Sequence, residues 1–98
     1  MKQKYIDLAK TIIEGKIPPA EREKLEDELV EMAYQIASGL EVSPEELETA
    51  RDERRSKNVV QGSIGEAGTK LLRATKKTEI VEHLGEVLEI VETYTAKY

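Results

Sequence analysis

The sequence predicts an all-α fold, a small bundle of four to five helices formed by one domain over residues 1–98 and expected to dimerise. Three observations carry that expectation. Apolar residues recur at helical spacing through most of the chain, helix-starting and helix-stopping residues separate those stretches, and no run alternates as a half-buried strand would. The widest apolar stripe lies between Lys77 and Tyr94. At about 3.6 residues per turn, Tyr94, Val87, Ile80, Val91, Leu84, Leu88 and Val81 share one arc, with Ile90 and His83 at its edge and Glu79, Glu82, Glu86 and Glu89 opposite. A stripe close to half the circumference is wider than a coiled-coil seam. This helix is therefore expected at the centre, with neighbours on more than one side.

The earlier elements follow in order. Lys2 to about Glu14 places Tyr5, Leu8, Ala9, Ile12 and Ile13 at helical spacing, with Gly15 to end the helix. Pro18 and Pro19 cannot continue it, because proline lacks the amide donor and constrains the residue before it. Pro19 instead opens a second helix to about Ser38, with Leu25, Leu29, Met32, Ala33 and Ile36 on one face, Val30, Tyr34 and Ala37 on a weaker one, and Gly39 as its stop. Val42-Ser43-Pro44-Glu45-Glu46-Leu47 is the clearest helix start: Ser43 caps, Glu46 completes a capping box, and Val42 staples onto Leu47. Beyond Leu47 and Ala50 this third helix is polar, so it is expected on the surface. Ser63-Ile64-Gly65-Glu66 repeats the capping spacing and opens a fourth helix carrying Ile64, Ala67, Leu71 and Leu72. Gly65 and Gly68 each cost about 1 kcal/mol in a helix interior, which implies a close backbone approach or an irregular first turn.

Composition narrows the function classes. The chain has no cysteine, which removes disulfide frameworks, thiolate metal sites and thiol nucleophiles, and points to a cytoplasmic protein. It has no Phe or Trp, so the core must be aliphatic and thin, and 36% of its residues are charged. A wide stripe on so small and charged a chain is what suggests a homodimer. No apolar run at the start resembles a signal-peptide core or a membrane span. The net charge of −5 is segregated: residues 51–77 hold 8 basic and 3 acidic residues, between flanks with 6 against 12 and 1 against 5. An acidic total argues against an extended nucleic-acid footprint.

Four constellations are candidates for chemistry. Glu79, Glu82, Glu86 and Glu89 share a helix face, as do Glu28 and Glu31; each group is either a solvated face or a set of oxygen ligands for Mg²⁺. Arg51, Arg54, Arg55 and Lys57 precede the helix start at Ser63, where free amides and the helix dipole favour an anion; the alternative is a surface helix with an ordinary cap. His83 is the sole histidine, a boundary residue or a pH-sensitive contact. Ile80, Leu84, Val87, Leu88, Val91 and Tyr94 are the expected interface.

Gly65-Glu66-Ala67-Gly68-Thr69 followed by Glu79-Ile80-Val81-Glu82-His83-Leu84-Gly85-Glu86-Val87-Leu88-Glu89 resembles the all-helical nucleoside triphosphate pyrophosphohydrolases of the MazG-like superfamily. Their metal pattern is EExxE, a gap, and then ExxD. Glu66 keeps one carboxylate of the first motif, Gly65 and Thr69 replace two others, His83 takes a glutamate position and Glu86 replaces the aspartate. Residues 26–34 with 42–47 and Arg51 also look like the family's ExxD helix and the turn after it. The resemblance implies an all-α fold and Mg²⁺-dependent hydrolysis, with Glu66, Glu82 and Glu86 joined by Glu28 or Glu31 as ligands. Two functions are thus expected. The first is a non-enzymatic, acidic interaction or regulatory protein that needs no cofactor and meets a protein partner as a homo-oligomer. The second is a Mg²⁺-dependent pyrophosphohydrolase or an inactive nucleotide-binding relative.

Overall fold

The computed structural model describes residues 1–56 and 64–97, with the side chains of 1–54 and 64–95. It contains five helices: α1 (Lys2–Glu14), α2 (Pro19–Gly39), α3 (Pro44–Ser56), α4 (Ile64–Arg73) and α5 (Lys77–Lys97). No strand occurs among the described residues. The Cα radius of gyration is 12.4 Å, close to the roughly 13 Å of a compact chain of this length.

Helix α5 is the centre of the bundle and packs against all four other helices. Leu84 and Val87 have no exposed surface, and Ile80, Leu88 and Val91 are buried with them. These five side chains are core residues of the single chain. The stripe expected to seek a second copy is covered from within, and of the six interface residues only Tyr94 stays half-buried.

The aliphatic core also takes Ile6, Ala9 and Ile12 from α1, Leu29, Ala33 and Ile36 from α2, Leu47 from α3, and Ala67 and Leu71 from α4. Tyr5 joins it and donates a buried 2.9 Å hydrogen bond to the Leu84 carbonyl, tying α1 to α5. The Lys2 ammonium donates to the Ala74 carbonyl at 2.9 Å, satisfying an acceptor at the end of α4. Gly68 marks the close approach inferred for α4: a Cβ there would stand 2.8 Å from Cγ2 of Ile6.

The start of α3 forms as its sequence indicates. The Glu46 amide donates to Ser43 Oγ at 3.2 Å, and Val42 and Leu47 are both buried. The end of α2 differs from expectation. Gly39 remains helical, and Glu41 takes the left-handed position at φ 60°. The Val42 amide donates to the Ala37 carbonyl at 2.9 Å and the Glu41 amide to the Ser38 carbonyl at 3.0 Å, which is a Schellman closure. Burial of Val42 against the core fixes this geometry, and the chain accepts a non-glycine residue in the strained position.

Candidate functional site

The polar half of α3 lies on the surface as expected, with Thr49, Asp52 and Glu53 exposed, but one side is turned toward α5, where its arginines reach carboxylates of that helix. Arg51 Nε donates to Glu89 Oε1 at 3.0 Å, Nη2 to Glu92 Oε2 at 3.0 Å, and Nη1 to Glu48 Oε1 at 3.4 Å. Glu48 also accepts the Tyr34 hydroxyl, so α2, α3 and α5 meet at one charged node. Burial lowers the Arg51 pKa, but the Glu89 carboxylate ahead of Glu48 and Glu92 more than offsets it. The guanidinium is therefore held firmly charged.

One turn along, Arg54 Nη2 stands 3.2 Å from Glu86 Oε1, and His83 Nδ1 stands 3.2 Å from Glu86 Oε2. The side chains of Glu86 and Glu89 are both only 4% exposed, which corrects their placement on a solvated face. Backbone proximity makes this possible. A Cβ on Gly85 would lie 3.4 Å from Arg51 Cγ and 3.5 Å from its amide nitrogen, so α3 sits directly on α5.

Beside this node, between α3 and the first turns of α5, lies a cleft of about 550 Å³. Val42, Ala50 and Val81 give it apolar surface, and Glu45, Glu46, Glu53 and Glu82 give it carboxylates. Arg54 and Lys77 are its cations. Arg54 Nε is buried with no acceptor among the described residues. A smaller hollow of about 340 Å³ is lined by Arg22, Glu26, Glu92 and Thr95. Burial pushes the Glu26 carboxyl above its usual range, against the pull of Arg22 and a hydrogen bond with Thr95.

Of the carboxylates implied as Mg²⁺ ligands, Glu28 and Glu31 are exposed on α2, Glu66 on α4 and Glu82 on α5, while Glu86 is held by Arg54 and His83. Among the described residues, no group of three or more histidine, aspartate or glutamate side chains is placed to hold a metal ion. Of the anion-site residues, Arg51 and Arg54 face α5 carboxylates, and Arg55, Lys57 and Ser63 lie outside the described side chains.

No family model, curated protein or solved structure matches this chain. No helix among the described residues is long and apolar enough to cross a membrane.

Sequence reasoning missed the Arg51 and Arg54 contacts and the cleft beside them. One signal was available. Basic residues at 51 and 54 and acidic residues at 86, 89 and 92 give two helices complementary charged faces at helical spacing. Nothing in the linear pattern says that these faces meet.

Proposed function

We propose that this chain is a non-enzymatic interaction protein, which presents acidic helical surface to a protein partner and does so as a homodimer. The observation that carries this reading is the use of the inward carboxylates. Glu86 and Glu89 are neutralised by arginines of α3, so charge that a hydrolase would aim at a metal serves here to join two helices. The outer surface of α2 and the start of α3 is mostly acidic: Glu21, Glu23, Asp27, Glu28 and Glu31 on α2, with Glu45 and Glu46 on α3, are exposed. Dimerisation would use the apolar surface left over, namely the half-buried Leu25, Val30 and Met32 on α2 and the exposed Leu72 on α4.

The competing reading is a Mg²⁺-dependent nucleoside triphosphate pyrophosphohydrolase of MazG-like type, or an inactive nucleotide-binding relative. Its support is the motif resemblance on α4 and α5 together with the all-helical bundle. Calorimetry with Mg²⁺ and a panel of nucleoside triphosphates, paired with a pyrophosphate assay, separates the two. The interaction reading expects neither heat nor product. Mg²⁺-dependent pyrophosphate release that disappears in Glu86→Gln would overturn it. Light scattering on the same sample is expected to give a dimer mass, and a monomer mass would remove the self-association.

A further inference from the structure

We infer that the cleft between α3 and α5 is the docking site for a basic, amphipathic segment of a partner protein, with an aliphatic side chain on its floor and lysine or arginine at its rim. This rests on the interaction reading above and names the partner's chemistry. Size comes first: about 550 Å³ lies within the roughly 300–1,000 Å³ typical of ligand sites. The floor is apolar, because Val42 and Val81 are buried there and Ala50 is half-buried.

Charge selects the occupant. Besides Glu53, which is engaged in an interaction of its own, the lining holds the carboxylates of Glu45, Glu46 and Glu82 against Arg54 and Lys77. Arg54 is already offset by Glu86, so the cleft presents a negative rim around an apolar base. An anionic ligand would meet repulsion there, and a purely apolar one would leave the rim charges to be desolvated without compensation. A segment alternating basic and aliphatic residues satisfies both.

A peptide fits better than a small amine for a separate reason. The floor of Val42, Ala50 and Val81 offers burial to an aliphatic side chain, which a peptide carries beside its cations and a polyamine does not.

The experiment uses the full chain and three probes: a labelled peptide alternating lysine and leucine, the same peptide with glutamate for lysine, and spermine. Anisotropy titrations are expected to show binding of the lysine peptide that weakens with salt, and no binding of the glutamate peptide. Amide shifts on addition of the lysine peptide should centre on Thr49, Thr78 and Val81. Glu45→Lys with Glu82→Lys should weaken binding by about tenfold, whereas Asp27→Lys with Glu31→Lys, an equal charge change on the outer face of α2, should change it by less than about twofold.

Equal loss in the α2 variant would reduce the binding to general charge attraction and overturn the proposal. Spermine shifting the same amides with equal affinity would overturn it in favour of a small amine. If the cleft variant does not fold, the wild-type shift map decides alone, and shifts centred elsewhere overturn the assignment. Failure of the peptide to bind removes this occupant only. The interaction reading falls by a different result, Mg²⁺-dependent product release.

Discussion

Glu41 stands in a backbone conformation that L-residues with a Cβ adopt at a cost of about 1 kcal/mol or more, and it does so at φ 60°. The exposed side chain gains nothing from the core, whereas Val42 beyond it is buried. Packing of Val42 therefore dictates the turn, and Glu41 carries the strain. Glu41→Gly is expected to raise stability by about 1 kcal/mol, measured as a higher urea midpoint with an unchanged slope. An unchanged midpoint would mean that the turn is not strained in this way. Sequence inspection favours Gly39 for the same role because it is the glycine after an apolar stripe. A Cβ on Gly39 would meet nothing within 4 Å and its φ is not positive, so glycine is not required there. Tyrosine chemistry is also decided locally. A hydrogen bond to Glu48, then burial, raises the Tyr34 pKa; burial raises that of Tyr5 against the opposing influence of Arg51.

At the scale of elements, α3 illustrates how little polarity says about location. Its sequence after Ala50 is nearly all charged, yet its contact with α5 is the most extensive between any two helices. Arginine makes this possible: the long stem fills space, and the planar head reaches several carboxylates at once. Removing Arg51 takes a cation away from the buried Glu89 carboxylate. Arg51→Ala is therefore expected to cost about 3 kcal/mol in urea unfolding. Arg51→Met combined with Glu89→Leu should recover most of that loss, since an apolar pair of similar size needs no desolvated charge. If the double variant is as unstable as the single one, the node is sustained by something other than the ion pair. Helices α4 and α1 follow a simpler logic, in which Gly68 lets Ile6 approach and the Lys2 ammonium closes the end of α4 on the Ala74 carbonyl.

For the whole molecule, the two raised tyrosines link folding to alkaline pH. Both phenols are neutral in the fold and ionise more readily once unfolded, so their contribution is complete below the unfolded value near pH 10. It is lost as pH rises through the higher folded values. Phenolate absorbance for these two residues should thus emerge above the usual range and together with loss of helical circular dichroism. Tyr5→Phe with Tyr34→Phe should flatten the alkaline fall in stability. Early phenolate formation in a chain that stays folded would show that neither hydroxyl is buried or bonded as described.

Local information was enough for much of this architecture. The period of apolar residues, the proline pair at 18–19 and the Ser43 cap fix which segments are helical, because each acts within one or two turns of chain. The breadth of the α5 stripe likewise reveals a central helix. What the linear order cannot hold is which polar face meets which. Glu86 and Glu89 read as solvent-facing until α3 is laid on them, and the same contact consumes Arg51 and Arg54 and borders the acidic cleft. Apolar burial is a property of each helix by itself, whereas charge pairing is a property of two, and only the folded chain brings the two together.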